Sequence, residues 1–302
     1  MIENVGIQRL SESFIFCWFF MNWWYNRKKK GRKSMYKKFD IREAKTKAKV
    51  DKAYEEYLEF MKVSGMPNYK LVYINQQGTT IAEERYENNS YYLIVANTLC
   101  TTAYKAITKG ILFHEFTHIL DEEELVSMYG FSHDDRNTPY VYKEVHAEQI
   151  KTLHLLGCKT IDDLEGIDKD KPSFQHKKSL YNIHDYLVEC QKELRENIEL
   201  IEYVKQSNTK INLYEFNNML NRIFYYIGTA SIYLKYCDSS AYEELDIKDV
   251  WDYYGYNINL LLKVFVENSL GFHTKELIEA MAKIRLLIVQ HYDRLKVMSI
   301  PM

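Results

Sequence analysis

Three residues within "ILFHEFTHILDEEE" (residues 111–124) have the types and spacing of a metal site: His114, Glu115 and His118 form H-E-x-x-H. On a helix, residues four apart differ by about 40° around the axis and lie one turn apart. The two imidazoles therefore project together and can each give one nitrogen to a single Zn²⁺. Glu115 points along the adjacent edge. There it can take a proton from a zinc-bound water, whose pKa the ion lowers, and pass it to a leaving amine. The flanks "KGILF" and "IL" are apolar, so the helix is expected to be buried. Two histidines and a glutamate on a buried helix need partners, and a metal supplies them. The plainer alternative is a pair of satisfied core histidines.

A catalytic zinc needs a third protein ligand and a remaining open position. The candidates lie downstream in "YKEVHAEQIKTL" (142–153), a second helix-like run. Glu144 and Glu148 are four apart and share a face. Glu144 is the expected ligand. Glu148 is the alternative, or else the partner that orients a ligating histidine. His146 is about 200° around from Glu144 and should point away. Asp121, three residues after His118, could touch the site, orient a histidine, or simply begin the exposed acidic run "DEEE". His146 and Asp121 are the remaining candidates for third ligand. Tyr140, Tyr142 and His133, between the two helices, could stabilise an oxyanion.

Other elements must position these groups. Residues 37–63 read as a helix, broken at Pro67–Asn68. Three strand-like runs follow, 69–75, 79–87 and 90–97, with turns at Gln77–Gly78 and Asn88–Asn89. Within the last run, "YYLIVAN" (91–97) is a candidate edge for pairing with a substrate backbone. A helix over 102–121 carries the motif. Residues 122–140 read as irregular, 141–156 as a helix ended by Gly157, and the charged stretch 160–173 as a linker. Almost everything beyond is helical. Leu180, Ile183, Leu187, Cys190, Leu194 and Ile201 form one apolar stripe. Leu213, Phe216, Leu220, Ile223, Ile227, Ala230 and Leu234 form another, and a last helix covers about 274–297.

Composition bounds the possibilities. The chain has 302 residues, 46% hydrophobic and 27% charged, as in ordinary globular proteins. A net charge of −2 gives no basic field that would call for nucleic acid. The 11 Gly and 4 Pro are few, which favours long helices. Cys17, Cys100, Cys158, Cys190 and Cys237 are scattered and odd in number, as expected of reduced thiols in a cytoplasmic protein. The apolar run at 11–25 and the basic run at 26–38 form a separate N-terminal segment, 1–34. The apolar run is shorter than a spanning helix. It lacks the order of charge and small residues of a signal peptide. It reads as a buried helix, a membrane contact through residues 12–38, or sequence ahead of a true start at Met35.

With these motifs in hand, "LFHEFTHILD" followed by "YKEVHAEQIKTLHLLG" resembles the ImmA/IrrE-type metallopeptidases, in particular the phage and mobile-element members. The wider resemblance is to zincins whose third ligand is a glutamate on the next helix. The resemblance covers residues 65–157. It implies His114, His118 and Glu144 as zinc ligands, Glu115 as general base, and a small sheet beside the motif helix. E-V-H-A-E stands where the family more usually has an E-x-E-A-N-type run. The expected fold is α+β: a zincin-like domain over 35–160, then an all-α helical domain over 174–302. The expected function is a zinc endopeptidase cutting a specific intracellular protein, such as a regulator of a phage or mobile element, recognised by the helical domain. The alternative is a catalytically silent zincin-fold protein acting through protein–protein contacts.

Overall fold

The computed structural model describes residues 41–74, 81–101, 105–133, 138–176, 179–206, 213–254, 259–268 and 270–294. The N-terminal segment, the candidate start at Met35 and the Gln77–Gly78 turn lie outside the described residues. Within them the chain is predominantly helical, with a small mixed sheet and one short hairpin. No helix among them is long and apolar enough to cross a membrane. The chain divides into two compact units, Met1–Lys52 with Asn68–Tyr104, and Ala53–Pro67 with Lys105–Met302. The stretch 160–173 is not where this division falls. The motif helix and the C-terminal helices share one unit.

The first unit holds the start of helix α1 (Ile41–Met61) and strands β1 (Tyr69–Ile74), β2 (Ala82–Glu87) and β3 (Ser90–Ala96). Asn88 and Asn89 take φ of 51° and 53°. Two consecutive left-handed residues make the tight turn whose twist suits an antiparallel pair, and Asn tolerates that conformation best after Gly. β2 thus pairs antiparallel with β3, from Glu87↔Ser90 to Ala82↔Val95. β1 pairs parallel with β3 on its other side, from Tyr69↔Tyr91 to Ile74↔Ala96. The order β1-β3-β2 corrects one expectation. Residues 91–96 of that run belong to the central strand, whose backbone groups are committed on both sides, so it has no edge for a substrate. Its "LIVA" is buried on successive residues, the mark of a strand covered on both faces. On β2, Glu83, Arg85 and Glu87 share one face by the period of two, and Arg85 reaches both carboxylates.

The second unit is built on α2 (Ala106–Tyr129) and α3 (Tyr140–Leu155). From Leu112 to Ile119 every residue but Glu115 is buried, as for a helix enclosed nearly all round. Tyr57 and Phe60, from the part of α1 in this unit, set their rings edge-on or tilted against Phe113 and Phe116, with centroids at 5.3–5.4 Å. The Tyr57 hydroxyl donates to Thr117 Oγ1 (3.1 Å). α2 also runs eight residues beyond its expected end. Asp121, Glu122 and Leu125 are buried, and only Glu123 and Glu124 of the acidic run are exposed. Glutamate is a good helix former, so polarity alone did not mark an end. The helix stops at Gly130, whose φ of 67° is the left-handed cap.

Beyond α3 come a hairpin of β4 (Ser173–His176) and β5 (Ser179–Asn182), then α4 (Ile183–Gln206), α5 (Leu213–Tyr236), α6 (Lys248–Tyr254), α7 (Asn259–Glu267) and α8 (Lys275–Arg294). The hairpin was not expected. It takes Leu180 out of the α4 stripe and leaves it 73% exposed. The α5 stripe from Phe216 to Leu234 is buried. α5 packs on α3 through small and polar residues. Gln149 donates to Ser231 (2.8 Å), and Thr152 meets Thr229 (3.2 Å). A Cβ on Gly228 would lie 2.7 Å from Glu148 Cβ and 2.7 Å from the Val145 carbonyl oxygen. The carbonyl belongs to the helix backbone and cannot yield. Alanine gains about 1 kcal/mol of helix propensity over glycine, whereas overpacking costs about 1–3 kcal/mol. Gly228→Ala is therefore expected to destabilise the protein, by up to about 2 kcal/mol, in a urea denaturation series.

Candidate metal centre

α2 and α3 run antiparallel, and polar pairs rise along their contact like rungs. Glu122 meets Lys143 (2.5 Å), Asp121 meets His146 (2.9 Å), and His114 and His118 meet Glu144 and Glu148. His114, Glu115 and His118 sit on α2 with the two imidazoles on one face, as their spacing requires. Their ring planes are 89° apart, with centroids at 4.6 Å.

The atoms that could hold a cation converge. His114 Nε2 and His118 Nε2 are 3.0 Å apart, and each is 3.7 Å from Glu144 Oε2. A point equidistant from the three lies about 2.0 Å from each, which is a zinc–nitrogen or zinc–oxygen bond length. All three side chains are buried or nearly so. Glu144 Oε2 is buried and accepts no hydrogen bond, an arrangement that native interiors rarely leave uncompensated. Oxygen and imidazole donors at this separation suit Zn²⁺, so these residues fit a metal ion. The group His114, His118 and Glu144 is the one set of three metal-competent side chains found among the described residues.

Glu148 is engaged differently. Lys151 Nζ donates to both of its oxygens, at 2.7 and 2.9 Å. Its Oε2 also lies 3.3 Å from His114 Nδ1, on the side of the ring away from Glu144, though outside the angle of a hydrogen bond. Burial opposes its charge, but Lys151 foremost and His114 next more than offset that and draw its pKa down to about 2. Glu148 is thus placed to hold the His114 ring rather than to close the triangle.

The two histidines are polarised in opposite senses. Burial works against a proton on His114, but the close carboxylates of Glu144 and Glu148, with the charge of Glu115, outweigh it and lift its pKa to about 9. Burial, then the positive charges of His114, Lys143 and His146, hold His118 well below its ordinary value.

Of the other candidates, Tyr140 stays near Glu144. Burial first, then the Glu144 charge, raise its pKa far above the usual phenol. Its hydroxyl donates to Asn221 Oδ1 (2.5 Å), and the Arg285 guanidinium lies 4.2 Å from its ring centroid. Tyr142 stacks on His146 (5.4 Å) and His133 pairs with Glu122 (3.3 Å). His146 turns away from the triangle, toward Asp121. Sequence reasoning missed Tyr225, on α5, whose ring stands edge-on to His114 at 5.5 Å. It also missed Lys151 and Arg285. Lys151 was legible from its i,i+3 spacing to Glu148. Nothing marks Tyr225 among 26 tyrosines.

Compared with known proteins, the chain matches no family model, no curated protein and no solved structure.

A cation entering the triangle must meet neutral imidazoles. Without metal, His114 keeps its proton up to about pH 9, so at neutral pH the incoming ion displaces it. Apparent zinc affinity is expected to rise about tenfold per pH unit on this account and to level off above about pH 9. Close to one proton should be released from His114 per ion at pH 7. Titration calorimetry in buffers of different protonation enthalpy measures both.

Proposed function

We propose that this chain is a zinc-dependent endopeptidase of zincin-like fold that cuts a specific intracellular protein, a regulator of a phage or mobile element. One observation carries the reading: Nε2 of His114, Nε2 of His118 and Oε2 of Glu144 surround a point at metal-bond distance inside a buried setting. The general base required at the neighbouring position is present as Glu115, and its charge is felt by both His114 and Tyr225. The resemblance over residues 65–157 gives the choice of zinc and of a mobile-element regulator as target.

In this reading His114, His118 and Glu144 hold the ion. Zinc supplies a Lewis acid, which polarises a scissile carbonyl and acidifies water at neutral pH. Glu115, half-buried on the face of α2 next to the ligands, takes the proton of the attacking water and returns it to the leaving amine. Glu148, fixed by Lys151, keeps the His114 ring oriented. The helices beyond residue 174 supply the target-recognising surface. Cys158, Cys190 and Cys237 are free thiols, which suits a cytoplasmic site of action.

Two measurements test this. Protein purified without added metal should carry about one zinc, lost in His118→Ala. Glu115→Gln should keep the zinc and lose roughly 10²–10⁴-fold in peptide hydrolysis, the usual contribution of a general base. A zinc-free wild type, or undiminished cleavage by Glu115→Gln, would overturn the proposal. A Glu115→Gln variant that retains zinc can also be used to trap the target.

A further inference from the structure

Next to the metal triangle, one rung farther along the α2–α3 contact, lies a buried ion pair that the proposed chemistry does not use. His146 Nδ1 stands 2.9 Å from both Asp121 Oδ1 and Asp121 Oδ2. Asp121 is 2% exposed and His146 4%. Asp121 follows His118 by three residues on α2, and His146 follows Glu144 by two on α3. The pair therefore ties together the turns that carry a nitrogen ligand and the oxygen ligand. The His146 ring is held from the side by Tyr142, stacked at 27°, and Tyr142 in turn meets His273 at 5.2 Å. His146 Nε2 is buried with no hydrogen-bond partner, so the imidazole is fixed through Nδ1 and its faces.

Placing such a pair in a protein interior is expensive, and well-packed apolar residues of similar volume are often as stable or more so. The best-attested use of a buried polar pair is to fix one register between helices. Register is what this site needs. Metal–ligand distances tolerate about 0.2 Å, whereas apolar packing that keeps its volume and pattern loses uniqueness before it loses stability. Glu144 reaches the triangle from α3 alone, so any slide of α3 along α2 moves one ligand against the other two.

Building on the metal-centre reading, we propose that Asp121–His146 is a positioning pair. It locks the register of α3 on α2 so that Glu144 meets His114 and His118 at metal-bond distance. The pair's hydrogen bonds run between its own two members, and its part in the site is to place α3 on α2.

The test measures zinc affinity of the full chain by competition with a chromophoric chelator, alongside the denaturation midpoint. Asp121→Glu keeps the charge but lengthens the strut by one methylene. Asp121→Asn keeps the length and an acceptor for His146. The double variant Asp121→Leu/His146→Phe replaces the pair with apolar bulk. Asp121→Glu and the folded double variant are expected to bind zinc roughly ten- to a hundredfold more weakly, and Asp121→Asn to stay close to wild type. A purely stabilising pair would move the midpoint and leave the affinity alone. Wild-type affinity in Asp121→Glu, or an equal loss in Asp121→Asn, overturns the inference while the metal centre stands. If the double variant does not fold, the comparison of Asp121→Glu with Asp121→Asn decides alone. A wild type that binds no zinc overturns both readings.

Discussion

Carboxylates buried against imidazoles along the α2–α3 contact set the conditions for the rest of the second unit. Glu144 and Glu148 are 9% and 2% exposed, and they face His114 and His118, which are equally enclosed. Ionised groups taken out of water are stable only when their charge is answered locally. Each rung answers in its own way. Glu148 has the Lys151 ammonium, Glu122 has Lys143, and Asp121 has His146. Glu144 Oε2 alone faces two ring nitrogens with no donor of its own. The contact therefore holds, within a series of directly hydrogen-bonded pairs, one buried carboxylate oxygen that accepts no hydrogen bond, and it is the one beside the H-E-x-x-H imidazoles.

The surroundings can be understood as what keeps that contact closed. α2 is wrapped on one side by the rings of Tyr57 and Phe60 against Phe113 and Phe116. α3 is covered by α5 through Gly228, Thr229 and Ser231. The small residues let the α5 backbone approach until Tyr225 stands against His114. A larger residue at 228 would push α5 away from Glu148 and carry Tyr225 with it. The high tyrosine content thus has a local use: Tyr57, Tyr140, Tyr142 and Tyr225 line the two helices with side chains that are apolar on the ring and polar at the tip.

How much of this was legible follows from which signals are local. H-E-x-x-H and the i,i+4 pair Glu144/Glu148 are local, so they could be placed on helix faces from spacing alone. The stripe from Phe216 to Leu234 is also local, and it is buried as its period implied. The end of α2 was misread because "DEEE" looks like a surface loop. Asp121 and Glu122 are in fact buried by partners far along the chain, His146 and Lys143. Partners at that separation leave no periodic trace. The same reason hides Tyr225 and Arg285, which reach the site only through the packing of α5 and α8. The strand run 91–97 was legible as a strand but not as a central one, because strand order is set by pairing and not by composition.

The lysine at 151 has a consequence for the number of ligands an ion could gather. A glutamate one helical turn beyond another, on the same face, could be expected to swing in and complete a four-ligand shell. Such a closed shell is the mark of a structural zinc. Here, moving Glu148 onto an ion would strip both of its oxygens from Lys151 and leave an ammonium, only 20% exposed, without its counter-charge. Breaking a part-buried pair in that way is unfavourable, because it leaves a charge without its partner. In the proposed metal-centre reading, Lys151 would therefore limit the coordination number, holding Glu148 back so that His114, His118 and Glu144 would be the protein's ligands and a further place would stay open.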